Sequence, residues 1–175
     1  MKPGTVIIFL IVVAAALLAG IIMGLKYSET PVIRDIREAV SAQPYAVDSS
    51  GFVPAKIGIE GRTLSLSESC YRISFDVTDD QAFSIQRAFN KEPASRPLTH
   101  DILRDILNEF NITIVQLRIE RFGDEIYYAR GFVQRNAKLL DLDMRPSDTV
   151  ALSLRTGSTL YINQTMLREK GDYIC

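Results

Sequence analysis

The stretch NITIVQLRIERFGDEIYYARGFVQR, residues 111–135, decides the fold. Apolar and polar residues alternate on both sides of Gly123 and Asp124, and this period of two is typical of strands with one buried face. Glycine permits the positive φ that a tight turn demands, so the stretch predicts a β-hairpin. The following AKLLDLDM, residues 137–144, predicts a third strand, and together the three runs predict an antiparallel meander.

Further strands and helices flank this meander. Alternation predicts three strands within residues 56–61, 63–67 and 70–77. Thr78 is a suitable cap for a helix to about Asn90, and an apolar stripe predicts a second helix within residues 98–110. Pro146 and Gly157 bound a third helix, which is apolar nearly all round and must be buried. One strand and a short helix follow within 159–171, so the whole pattern predicts an α+β fold of largely antiparallel sheets with inserted helices.

The amino-terminal residues predict a single transmembrane helix. Residues 5–25 form an uncharged run of 21 residues, which is long enough to cross a hydrocarbon core of about 30 Å. A cleaved secretory signal is the alternative, because Lys2 precedes the run and small residues lie within it. The apolar run continues through Ile21, Ile22 and Met23, which favours an uncleaved anchor.

We therefore predict a single-pass membrane protein with three parts. Residues 1–26 are the anchor, 27–54 a stalk with a short helix within 32–42, and 55–175 the α+β domain. One basic residue, Lys2, precedes the anchor, and three follow it: Lys26, Arg34 and Arg37. Because the side with more Lys and Arg is usually cytoplasmic, this difference weakly favours a cytoplasmic domain. A short amino-terminal tail bearing Lys2 is equally compatible with the opposite orientation, so the side stays open.

The overall charge argues against tight non-specific binding of nucleic acid. The chain has 20 Lys and Arg against 21 Asp and Glu, whereas proteins that contact many phosphates usually carry a basic excess. A local basic patch remains conceivable, and its candidates are Arg87, Lys91, Arg96 and Arg104. The alternative is that Arg87 and Lys91 lie on an ordinary solvated helix face.

Cys70 and Cys175 fit no zinc-binding spacing. In an oxidising compartment they would be able to pair, and in a reducing cytosol Cys70 would be packed as a small apolar residue. We favour free cysteines, because lone cysteines are commonly buried in this way.

Two polar motifs precede predicted helices: RPLTHD at residues 96–101 and DLDMRPSD at 141–148. Hydrolysis of a phosphodiester requires proton transfer and stabilisation of charge on the phosphoryl oxygens. Asp141 and Asp143 lie two apart on a strand, so they would be able to share one metal with Asp148 or Asp101. His100 would then act as base or acid. In the same arrangement, Arg96 and Arg145 would clamp phosphate.

A structural role accounts for the same residues. Pro146 fits the first helical turn, and Ser147 and Asp148 place polar groups near exposed N–H donors. Thr99 and Asp101 do likewise for the earlier helix. Two helix starts bridged by ion pairs would need these residues without any reaction.

The chain resembles the bifunctional nuclease domain family, whose members are named for cleavage of DNA and RNA. The resemblance covers about residues 56–170. Its motifs are the segments 96–101, 126–129, 143–148, 154–155 and 160–162.

The resemblance implies a nuclease with a divalent metal, Mg²⁺ or Mn²⁺, and nucleic acid as a partner. The expected catalytic residues are His100, Asp101, Asp143 and Asp148, the substrate-binding residues Arg96, Arg145 and Ser147, and the metal ligands Asp141 and Asp143. The alternative hypothesis is a non-catalytic subunit that uses the same scaffold within a membrane complex or a homo-oligomer.

Overall fold

The computed structural model describes residues 13–24 and 45–175 of the chain. Residues 13–24 form a helix, α1, which is the described part of the predicted anchor. The rest of the anchor, and the short helix predicted within 32–42, lie outside the described residues. Within the two described ranges, no helix combines the length and apolar character needed to cross a bilayer. The transmembrane helix therefore stays a prediction.

A compact unit extends from Pro44 to Cys175. Its strands are β1 Phe52–Pro54, β2 Lys56–Glu60, β3 Thr63–Glu68, β4 Tyr71–Asp76, β5 Thr113–Gly123, β6 Ile126–Arg135, β7 Lys138–Met144, β8 Leu160–Asn163 and β9 Asp172–Tyr173. Its helices are α2 Asp79–Phe89, α3 Thr99–Glu109, α4 Pro146–Thr156 and α5 Gln164–Lys170. Each strand and helix that the sequence predicts from residue 56 onward is present.

The strands form two sheets, with the orders β1-β8-β5-β6-β7 and β2-β3-β4-β9. Among the described strands, β5 and β8 are the parallel pair and the other pairings are antiparallel. The predicted α+β class is confirmed. Two edge strands were not predicted: β1 lies upstream of Ala55 and has three residues, and β9 has two, so neither shows a readable period.

Helix α4 lies at the centre of this unit. Val150, Ala151 and Leu152 are all at most 2% exposed, and the helix packs against α2, α3, β5 and β6. Its expected bounds are confirmed: Pro146 is the first helical residue, and Gly157 ends the helix with a left-handed φ of 70°. Because α2 and α3 both pack on α4, the starts of α3 and α4 lie side by side.

The β5–β6 turn differs from the prediction in one detail. Gly123 ends β5, whereas the positive φ values belong to Asp124 (51°) and Glu125 (63°). Two consecutive positive φ angles are typical of the type I′ turn, which matches the twist of the flanking strands. The hairpin is therefore confirmed, but the positive φ angles that its turn requires are adopted by the two acidic residues after the glycine.

Helix α3 buries less of its apolar stripe than the sequence pattern implies. Leu107 is buried and Leu103 partly buried, whereas Ile102, Ile106 and Phe110 are each about half exposed. The spacing of the apolar residues correctly predicts a helix. It does not show that α4 covers only some of these residues and leaves the others exposed.

Cys70 and Cys175 form a disulfide, so the preference for free cysteines was wrong. The bond ties the carboxyl-terminal residue to the turn before β4, where β9 pairs with Tyr71 and Arg72. Tyr71 and Tyr173 also pack edge to face with ring centroids 5.7 Å apart. Pairing was the alternative for an oxidising compartment, and β9, which brings the two cysteines together, is too short to predict from the sequence.

We expect replacement of both cysteines by serine to lower the free energy of unfolding by about 2 kcal/mol. The crosslink joins residues 105 apart and so restricts the unfolded chain. This value is at the low end of the usual range for a disulfide. Without the disulfide, the exposed residues 172–175 can separate from β4 while the rest of the domain stays folded. Urea unfolding of the oxidised wild type and the double variant measures the difference. Equal midpoints would show that the disulfide contributes nothing.

Candidate functional site

The two polar motifs meet where α3 and α4 begin. His100 lies in the first turn of α3 and Asp148 in the first turn of α4. Their side chains approach to 3.3 Å between Nε2 and Oδ1. Both line an open cleft of about 730 Å³ between α2, α3 and β7, so the two motifs meet at this pair.

His100 has a polar partner on each ring nitrogen. Nδ1 lies 3.3 Å from the hydroxyl oxygen of Ser84 on α2. Because Nε2 faces the Asp148 carboxylate, which only accepts, the neutral ring carries its proton on Nε2 and accepts at Nδ1. The order Asp148, His100, Ser84 is therefore a continuous relay in which the serine hydroxyl donates to the imidazole.

Burial lowers the pKa of His100 below its ordinary value. The Asp148 carboxylate opposes this effect, and the Arg155 and Arg145 guanidiniums reinforce it. The imidazole is therefore neutral at neutral pH, and a neutral imidazole is the form that can accept a proton.

Arg145 forms a bidentate ion pair with Asp148. Its Nε and Nη2 atoms lie 2.7 and 3.0 Å from the two carboxylate oxygens. The arginine side chain is 69% exposed and lies at the rim of the cleft. Arg145 therefore holds Asp148 in place while remaining accessible to an anion in the cleft.

Arg155 connects Asp101 with Ser84 beneath the cleft and is not among the site residues predicted from the sequence. Only 4% of its side chain is exposed. Its Nε donates to Asp101 at 2.7 Å, and its Nη2 lies 3.2 Å from both the carbonyl and the hydroxyl oxygen of Ser84. An arginine in a helix that is otherwise buried and apolar needs such partners, and this was the available signal for it.

Asp101 lies outside the cleft. One of its oxygens accepts from the Leu98 backbone N–H at 2.8 Å, as a helix cap does, and the other binds Arg155. Burial raises the pKa of Asp101, but these two donors outweigh it and hold the pKa below its usual value. Asp101 thus makes the helix-cap contact that the structural alternative expects, and it holds Arg155 rather than facing the cleft.

The remaining predicted site residues are dispersed. Asp143 is exposed and lines the cleft. Asp141 lines a different cavity, where Arg130 binds it at 2.6 Å. Ser147 is buried beside a third cavity, and Arg96 is exposed and lines none of these cavities. The structure therefore brings His100, Asp143, Asp148 and Arg145 together and leaves the others apart.

The carboxylates do not fit a divalent metal in this arrangement. Asp101, Asp141 and Asp148 each bind an arginine, which neutralises the charge that a cation requires. Across residues 13–24 and 45–175, no group of three or more His, Cys, Asp or Glu side chains is placed to hold a metal ion. The predicted ligands Asp141 and Asp143 gain no third partner here.

An α+β domain with a relay of carboxylate, imidazole and hydroxyl in an open cleft has the groups used by hydrolases. The sequence profile of the bifunctional nuclease domain matches residues 64–174, so the chain belongs to the bifunctional nuclease domain family. Two uncharacterized proteins from two strains of Mycobacterium tuberculosis are each 36% identical over 76 residues. The match covers 43% of this chain and 44% of each relative, so the chain spans less than half the length of these curated relatives.

Proposed function

We propose that the domain is a nuclease that cleaves phosphodiester bonds in the cleft, with Ser84, His100 and Asp148 as its reacting groups. The observation that carries the proposal is the relay itself, with both hydrogen-bonding distances at 3.3 Å. Distances of this length are common in catalytic sites before substrate binds. Membership of the family supports phosphodiesters as the substrate class.

The geometry supports a covalent first step. The Ser84 oxygen forms a bond to phosphorus while its proton passes to His100 Nδ1, and Asp148 stabilises the imidazolium through Nε2–H. The bond from phosphorus to the leaving oxygen breaks, and that oxygen takes the proton from His100. Water, deprotonated by the same imidazole, then attacks the phosphorus. The bond from phosphorus to the Ser84 oxygen breaks, and the imidazolium returns its proton to that oxygen, which restores Ser84.

Two arginines supply positive charge. Arg155 Nη2, 3.2 Å from the Ser84 oxygen, stabilises the charge that develops on this oxygen as its proton leaves. Arg145 at the rim is positioned to bind the phosphoryl oxygens. No step uses a metal ion, because Asp101, Asp141 and Asp148 are already paired with arginines.

Cleavage of labelled single-stranded DNA and RNA by the full-length chain tests the proposal, with Mg²⁺, with Mn²⁺ or with a chelator. We expect cleavage under all three conditions and its loss in Ser84→Ala. The matched control is Ser95→Ala, an exposed serine that does not line the cleft. No cleavage of either nucleic acid would overturn the proposed activity, and strict dependence on metal would overturn the mechanism.

We also propose that residues 5–25 tether the domain to a membrane, facing an oxidising compartment. The Cys70–Cys175 disulfide supports this side over the cytoplasmic one, because such bonds persist outside the reducing cytosol. A membrane-impermeant thiol reagent applied after reduction of intact cells would label both cysteines. Labelling only after lysis would contradict this orientation.

A non-catalytic interaction subunit is the second candidate, and the apolar walls of the cleft favour it. Phe83 and Leu142 line the cleft and are 50% and 40% exposed. Apolar surface of this kind is common at interfaces. Under this reading, Phe83→Ser would change the oligomeric state of the full chain and Ser84→Ala would not. Sedimentation of the two variants separates this candidate from the nuclease.

A further inference from the structure

A second cavity, of about 590 Å³, lies on the other side of the start of α3. It is bounded by the end of α2, the loop that follows and the first turns of α3. Leu98 lines both this cavity and the cleft. Arg155 also joins them, since it binds Asp101 at the cavity and Ser84 at the cleft. The two spaces are therefore neighbours separated by one helix start.

The lining of this cavity is basic, although the chain as a whole has a net charge of −1. Four cationic side chains line it, and the two acidic ones are Glu92 and Asp101. The cations are Arg87, Lys91, Arg104 and Arg155. Asp101 is already neutralised by Arg155. The cavity therefore keeps an excess of positive charge, and three of its cations belong to the basic patch considered from the sequence.

Arg87 has a donor that no acceptor satisfies. Its Nη2 donates to the carbonyl oxygen of Pro93, whereas its Nε is buried without a partner. A buried N–H without an acceptor is costly, and most such groups in folded proteins are paired. Arg87 lines the cavity, so an anion bound there would lie beside its guanidinium group. Arg104 forms its ion pair with Asp105, which does not line the cavity.

We propose that this cavity binds a backbone phosphate of a single nucleic-acid strand whose neighbouring phosphodiester lies in the cleft. The inference rests on the proposed function for the identity of the strand. Arg87 and Lys91 contact the phosphate, and Arg155 links the cavity to Ser84. A strand held at both places is positioned for attack at one defined bond, and the pairing of cation and phosphate makes binding dependent on salt.

The test measures binding of a labelled single-stranded DNA oligonucleotide to the full-length chain by fluorescence anisotropy at several salt concentrations. Ser84→Ala serves as the parent, so that cleavage does not interfere. Adding Arg87→Gln and Lys91→Gln should weaken binding about tenfold. The magnitude of the slope of log affinity against log salt should fall by about 0.7, because the variant loses one neutralised phosphate and each contributes about 0.7 on a single strand.

The matched control replaces Lys56 and Arg72 by Gln, since both are exposed cations on the four-stranded sheet and line neither cavity. We expect this control to bind like the parent. Lys91→Gln alone guards against misfolding, because Lys91 is exposed, and it should weaken binding less than the double variant does. Inorganic pyrophosphate is the competitor that represents a free phosphate compound.

The outcomes separate this site from the proposed activity. Equal binding by the cavity variant and the control overturns the site, as does a parent that does not bind the oligonucleotide. The site is also overturned if pyrophosphate no longer competes in the cavity variant while that variant still binds the oligonucleotide like the parent. The cavity would then bind free phosphate compounds and not the strand. If the cavity variant loses DNA binding but the wild type cleaves nothing, the site stands and the proposed nuclease activity fails.

Discussion

Replacing Arg155 with methionine lowers the free energy of unfolding by about 3 kcal/mol, which corresponds to a fall in Tm of about 10 °C. The guanidinium is almost fully buried and binds Asp101 and Ser84. Its removal leaves the Asp101 carboxylate, whose side chain is only 20% exposed, without its partner. Methionine keeps most of the volume, so the loss reports the missing charge rather than a cavity. Urea unfolding measures it.

The matched control is Arg104→Met, which removes an ion pair to Asp105 between side chains that are 37% and 58% exposed. Exposed pairs contribute less than about 1 kcal/mol, so the two variants should differ by at least twofold. Similar losses in both would show that Arg155 does not organise the site.

The Asp101–Arg155 ion pair predicts an acid-sensitive contribution to the free energy of unfolding. The pKa of Asp101 is lower in the folded chain than its ordinary value of 3.8, so the unfolded chain binds the proton more readily. The contribution is therefore complete above about pH 4 and is lost as the pH falls through the folded-state value. Arg155→Met should lose much of this dependence.

Replacing His100 with alanine lowers the cleavage rate by about 10²- to 10⁴-fold, the usual contribution of a general base. The wild-type rate should rise as the pH increases through the pKa of His100 and then level off, because the neutral imidazole is the active form. Since burial lowers that pKa, the plateau should begin at a pH below that expected for a free histidine. Initial rates across the pH range measure both effects.

Asp105→Ala, an exposed acid on the outer face of α3, is the control for this variant and should keep the wild-type rate and pH profile. A His100→Ala variant that cleaves at the wild-type rate would remove the imidazole from the mechanism. Its folded state is checked independently by circular dichroism and by a single cooperative thermal transition.

The elements of the fold follow from the sequence because their periods are long enough to read. Eleven residues of alternation predict β5, and a five-residue apolar stripe predicts α3. The short edge strand β1 has no such signal. The positive φ at Asp124 and Glu125 was assigned to Gly123, because glycine is the usual residue for that conformation and acidic residues adopt it less often.

The site was only partly predictable. His100 and Asp148 stand out because polar motifs precede apolar helices, and both helices pack together. Ser84 carries no such signal: it lies in the middle of α2, 16 residues from its partner, and only the packing of α2 and α3 on α4 brings them together. Arg155 was visible as the charge in a buried helix, but its partners depend on tertiary structure. The arginine pairing of the carboxylates likewise could not be predicted from spacing.

Reaction with diisopropyl fluorophosphate followed by tryptic peptide mass spectrometry tests most directly whether the relay activates Ser84. Cleavage after Arg72 and Arg87 gives a peptide, residues 73–87, that contains both Ser84 and the exposed Ser74, so an internal control lies in the same fragment. The proposed mechanism predicts phosphorylation of Ser84 alone in the wild type and none in His100→Ala. Labelling of Ser74 to the same extent, or no label on Ser84, would contradict it.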